Sequence, residues 1–362
     1  MSATKLSAPE KTVPPRPITS SLGGRTLPKL LPPVLLVGAA LVAAGALYLF
    51  DLWNPALWAI ATAVGYAVVV TAFSTVVENG RKAKDRLVTS VVYVCFGIAM
   101  VPLVSLLWTV LSEGLIRLDG YFLTVSMNGV TPSMDAGGAY HAIVGTLMMT
   151  LMAAVISVPI GLMTAIYLVE YGRGRLKQAI TFFVDVMTGI PSIVAGLFVV
   201  ALWILLFGPG NTNGAAGAIA LSVLMIPVVV RSCEEMLRLV PNELREASYA
   251  LGVPKWLTVV KVVLPTAVAG ITTGVMLALA RVIGETAPLI LTAGSSAVAI
   301  NANLFEGQMM SLPVFIYSQV RMGGAINYER AWAGALTLII IVMLLFLAAR
   351  LVSRFLAPKT GR

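Results

Sequence analysis

The chain has few of the residues that soluble enzymes work with. It holds two cysteines and one histidine in 362 residues, too few for a disulfide framework or a histidine-rich metal site. Charged residues make up 11% of it, where soluble domains average about 25%. No Gly-x4-Gly-Lys-Ser/Thr segment occurs anywhere, so the chain has no cradle of its own for nucleotide phosphates. No loop is large enough for a basic nucleic-acid-binding domain, and no cofactor is expected. These absences exclude a water-soluble enzyme.

What the chain has instead is apolar length: 58% of it is hydrophobic. A hydrocarbon core of ~30 Å needs about 20 apolar residues at ~1.5 Å per residue of helix. Eight windows meet or approach that length, at 30–50, 56–77, 87–111, 142–169, 178–207, 214–230, 265–294 and 331–350. They are continuously apolar without alternation, which selects helices over a β-barrel. The fold class is therefore an all-α integral membrane protein, a polytopic helical bundle. Pro159 and Pro191 are positioned to kink their spans. Of the 25 lysines and arginines, 21 fall in segments 1–29, 78–86, 170–177, 231–264 and 350–362. By the positive-inside rule these face the cytoplasm, both termini included. Segment 1–29 reads as disordered, and the long connections 112–141 and 295–330 are expected to carry short helices.

The connection 231–264 reads as helix. Pro241 suits a first turn, Gly252 suits a left-handed position after a helix end, and Pro254 lies just beyond. A second short helix is expected over 255–263, ending at Leu264-Pro265. The product is a compact helix–turn–helix knob able to dock into a groove on a soluble partner.

Within the spans, Asp185, Arg281 and Glu285 are the side chains expected to be charged. Each costs at least ~2.5–3.5 kcal/mol at a bilayer centre, so each should face protein or a water-filled path. Arg281 lies 16 residues after Pro265, about 24 Å along a straight helix, and Glu285 is expected one turn further on the same face. Two readings stand for them: a structural ion pair, or an anion-selective element in which arginine presents a planar donor fork to an oxyanion. Asp185 suits an interface role as well as substrate contact.

Glu246-Ala247-Ser248, Gly252, Val262 and Leu264-Pro265 stand at the spacing of the EAA signature and resemble the permeases of ABC importers. Ser248 and Val262 are mild departures from that pattern. The stretches GIPSIVAGLF, IPVVVRSCEEMLRLVPNELREASYALG and ALARVIGETAPLI are similar, in order, to the A-type permease family of bacterial phosphate importers (PstA).

The resemblance covers roughly 87–355. It implies a six-span ABC importer permease core preceded by two extra N-terminal spans (30–86), with a short tail at 356–362. It implies translocation of inorganic phosphate by alternating access, with Arg231 and Arg281 tied to phosphate passage and Glu285 matching the Glu of the family's Gly-Glu-Thr-Ala-Pro block. Together with Asp185, taken from its charge within a span, these form the candidate substrate path. At Arg231 the plain positive-inside reading competes. It also implies that Glu246, Ala247, Ser248, Gly252, Leu264 and Pro265 seat in an ATPase subunit. The expected partners are a PstC-type sister permease, a PstB-type ATPase dimer that binds the ATP, an extracytoplasmic PstS-type phosphate-binding protein, and membrane lipid. The rivals are a permease for sulfate or molybdate and an ion-coupled carrier using Asp185 or Glu285.

Overall fold

A computed structural model describes residues 27–28, 30–295 and 300–356. The N-terminal segment through Thr26 and the tail beyond Leu356 lie outside the described residues. Among the described residues there is no strand, and contacts divide the chain into two units, Met1–Leu106 and Leu107–Arg362.

The first unit holds α1 (Leu31–Leu49), α2 (Pro55–Val77) and the start of α3 (Gly80–Arg117). Pro at the start of α1 suits a helix end whose first amides have no intrahelical partner. The indole of Trp58 donates to the carbonyl of Ala40, at 2.9 Å, tying α2 to α1. At the α2–α3 turn, Glu78 accepts from Arg86 (2.8 and 3.0 Å), the Ser74 hydroxyl (2.6 Å) and the Leu27 amide (2.8 Å). The Arg86 guanidinium, above all, holds the Glu78 carboxyl well below the ordinary carboxylate range.

The second unit continues with α4 (Gly120–Thr124), α5 (Tyr140–Ile166), α6 (Gly174–Gly189), α7 (Ser192–Phe207) and α8 (Gly214–Arg238). After these come α9 (Asn242–Ala250), α10 (Lys255–Thr258), α11 (Leu264–Ile283), α12 (Ala287–Thr292), α13 (Leu312–Met322) and α14 (Ala325–Leu356). Its core is α8 packed on α5 and α11. Small residues make the contact close: Ala153, Ser157 and Gly161 on α5, and Gly217, Ala218 and Ser222 on α8, are all buried. Lipid gives helices no hydrophobic reason to associate, so close backbone packing and interhelical hydrogen bonds must do so. Ser157 supplies one such bond, donating to the Ser222 carbonyl at 3.3 Å.

Seven described helices are long and apolar enough to cross a membrane, and a bent pair makes up to eight. Window 178–207 is a broken pair and not one straight helix: α6 and α7 meet at 107°. Pro191 disfavours helical backbone at Ile190, which is extended at φ −70°, ψ 128°, and the helix cannot continue. Window 265–294 divides as well. α11 stops at Ile283 and α12 starts afresh at Ala287-Pro288, because the Pro288 ring would clash with the carbonyl four residues back. Pro159, in contrast, lies inside an unbroken α5. Both long connections carry the expected short helices, α4 and α13.

Candidate functional site

The knob of residues 241–264 is folded as two helices with a turn between them. Pro241 stands just before α9, with Glu243 in its positive first turn. Gly252 has φ +73°, a left-handed conformation that a side chain would strain. The turn is closed by the buried Ser248 hydroxyl, 2.8 Å from that of Thr258. Ser248 thus faces into the knob, while its neighbours Glu246 and Ala247 face outward. Leu244, Tyr249, Leu251 and Trp256 are also exposed, Leu251 at 83%, and give the outer surface an apolar character.

Leu264-Pro265 does not end the second helix. The chain passes from α10 through a π-turn, Val259–Val263, straight into α11, with Pro265 in the first turn of α11. The widened π-turn eases the contact of the proline ring with the preceding turn, so no break results.

Sequence reasoning missed the residues that hold the knob in place. Glu170, buried in a π-turn after α5 (Tyr167–Tyr171), accepts from Arg245 Nε at 3.0 Å and lies 2.9 Å from its Nη2. Lys255 donates to the main-chain carbonyl of Glu170. Glu170 and Arg245 are 75 positions apart, and the only local signal was an arginine just ahead of Glu246-Ala247-Ser248.

Of the four substrate-path candidates, two come together. Arg231 of α8 pairs with Asp185 of α6 and, at 2.8 Å, with Glu234, whose other oxygen accepts from Arg238 at 2.5 Å. Asp185 is exposed and Glu234 buried, so Arg231 bridges an open carboxylate and an enclosed one. Asp185 lies one turn before the 107° bend.

Arg281 and Glu285 do not pair. The expected same-face geometry requires α11 to continue past Gly284, and it stops at Ile283. The Glu285 amide bonds to the Val282 carbonyl at 3.1 Å, which turns the chain. Arg281 is exposed, with no ion pair or hydrogen bond among the described residues. The two interrupted spans touch just beyond this point. A Cβ on Gly196 of α7 would lie 2.8 Å from the Pro288 Cα, so only glycine lets α12 come this near. The loop before α8 joins them, with the Asn213 amide bonded to the Thr292 carbonyl at 3.2 Å. Interrupted helices at membrane depth free backbone groups to face a path.

The pattern described as binding-protein-dependent transport system inner membrane component matches residues 157–362. The phosphate transport system permease protein PstA 1 of Mycobacterium tuberculosis is 50% identical over 284 residues, 78% of this chain and 91% of that protein. This chain belongs to the PstA permease family. PstA of Mycobacterium leprae is 49% identical over 77% of this chain and 91% of its own length. PstA of Yersinia pestis is 39% identical over 75% and 90%. Among solved structures, a chain of the inward-facing MetNI methionine ABC transporter is 22% identical, with a TM-score of 0.48, covering 61% of this chain and 95% of that one. As a PstA-family permease the chain is a multi-pass membrane protein and a transport component. The matched stretch 157–362 contains the knob, both interrupted spans and all four path candidates.

Proposed function

We propose that this chain is the membrane-spanning permease of an ATP-driven importer of inorganic phosphate. One observation carries the reading: a folded knob, closed from inside by Ser248 and fastened to Glu170 by Arg245, that turns Leu244, Tyr249, Leu251 and Trp256 outward. Exposed apolar groups on a charged, rigid helical knob suit a groove on a soluble protein. The chain has no phosphate-binding loop, so ATP is bound and hydrolysed by a separate ATPase pair of PstB type. A PstC-type sister permease completes the pore, and a PstS-type binding protein delivers phosphate from outside. In this reading α6–α7 is one span, so the span number is even and both termini lie on the side of the knob, the cytoplasm. The positive-inside bias of the loops supports the same orientation.

Arg281 and Arg231 line the path in this reading, joined by Glu285 and Asp185. Unpaired Arg281 presents positive charge and a planar donor fork to an oxyanion. Closure of the ATPase pair pushes the knob, and α11, continuous with it through the π-turn, reorients its Arg281 end.

The test is uptake into vesicles holding the purified four-component complex. Phosphate should enter only with ATP and the ATPase present. Uptake driven by a proton or sodium gradient without ATP would overturn the reading in favour of an ion-coupled carrier, and preferred uptake of sulfate would move the substrate.

A further inference from the structure

Arg245 reaches two separate pieces of chain, the end of α5 and the end of α8. Its Nε donates to Glu170 Oε1 at 3.0 Å, and its Nη2 donates to the Leu237 carbonyl at 3.0 Å. Nη1 donates to the Val240 carbonyl at 2.6 Å. Leu237 and Val240 lie at the end of α8, where the last carbonyls lack intrahelical donors. Glu170 belongs to the π-turn that ends α5, and its side chain is 5% exposed. The other knob helix grips the same residue: Lys255 donates to the Glu170 carbonyl, and its ammonium lies 5.0 Å from the Tyr171 ring centroid. Both knob helices therefore hold the end of α5 through one glutamate.

The turn between the two knob helices is closed elsewhere, by Gly252 and the Ser248–Thr258 bond. The chain connects the knob only to α8 and α11. The glutamate adds a third attachment, to α5, the helix packed along the buried face of α8.

We propose that Glu170 and Arg245 are positioning residues for transport, binding the knob and the end of α5 into one moving body. A push on the knob then reaches α5 directly as well as α11. α8, which carries Arg231, is moved from both of its packed neighbours. This inference rests on the reading of the knob as the ATPase contact.

The test uses Glu170→Ala combined with Lys255→Met, which together remove both legs of the tether and leave Arg245 bonded to the α8 carbonyls, with Glu170→Gln as the conservative variant that keeps an acceptor. In vesicles holding the complete transporter, the double variant should assemble and hydrolyse ATP within about twofold of wild type. Phosphate taken up per ATP should fall roughly tenfold, with Glu170→Gln recovering most of it. Unchanged uptake per ATP overturns the proposal. So does a parallel loss of assembly, hydrolysis and uptake in both variants, the result expected if the pair only supports the fold.

A second readout does not depend on phosphate. Spin labels on Arg173→Cys and Glu243→Cys, with the exposed Cys95→Ser, report the distance from the end of α5 to the knob. The distribution should stay narrow with and without trapped nucleotide, and broaden when Glu170→Ala and Lys255→Met are added. A distribution indifferent to that double change overturns the tether. If wild type carries no phosphate, the functional reading fails while this distance still decides the tether.

Discussion

Arg245 and Arg281 are the same side chain put to opposite uses. The Arg245 guanidinium is 11% exposed and spends its donors on Glu170 and on the carbonyls that end α8. Arg281 is exposed and spends none among the described residues. An arginine whose fork is filled by its own protein cannot take an oxyanion without breaking that structure. One left open at the end of an apolar helix must meet water, another subunit or a ligand, since lipid would not tolerate it. Position in the chain does not distinguish the two; partners do.

The largest effect should come from breaking the knob end of this comparison. Gly252→Leu forces a side chain into the left-handed turn and should abolish co-purification with the ATPase, and with it ATP-driven uptake, while the chain still inserts in the membrane. Normal assembly in that variant, measured by pull-down from detergent extract, would separate the knob from the ATPase.

A smaller effect sharpens the other end. Phosphate near neutral pH keeps a proton that sulfate lacks, so a carboxylate accepts a hydrogen bond from one and repels the other. Glu285→Gln should keep most phosphate uptake and lose discrimination against sulfate, read as the ratio of the two rates. Because α11 stops before Glu285, no ion pair is lost, and membrane abundance should stay at the wild-type level. A double change Arg281→Met, Glu285→Leu that rescued abundance lost in the single variants would restore the structural-pair reading.

The smallest effect concerns the first unit. The folded Glu78 carboxyl titrates below its unfolded value of about 4.3, so its contribution is complete above that pH and is lost only as pH falls through the depressed value. Glu78→Gln should lower the melting temperature by a few degrees, equally at pH 8 and pH 5.5. A difference that vanished between those two values would mean that Glu78 titrates there and is not held by Arg86.

Local features were legible in the sequence and distant ones were not. Gly252 could be read because a left-handed residue after a helix end is a property of one position. The break at Pro191 was readable as a kink, but a 107° turn needs α7 to find packing on α12, which sequence does not display. Arg281 and Glu285 misled because the spacing of four implies one face only while the helix lasts, and Pro288 ends it from beyond. Pro265 misled in the opposite sense, since a π-turn carries the helix past it. The Glu170–Arg245 pair joins residues that only the packing of α5 on α8 brings together.

The most direct measurement is ATP-driven phosphate uptake by Arg281→Ala at matched membrane abundance, beside Arg281→Lys, in vesicles holding the complete transporter. If Arg281 is the open guanidinium that phosphate meets, Arg281→Ala assembles normally and takes up essentially none. Arg281→Lys recovers a fraction, because an ammonium keeps the charge and loses the fork. Wild-type uptake in Arg281→Ala at full abundance would contradict the account.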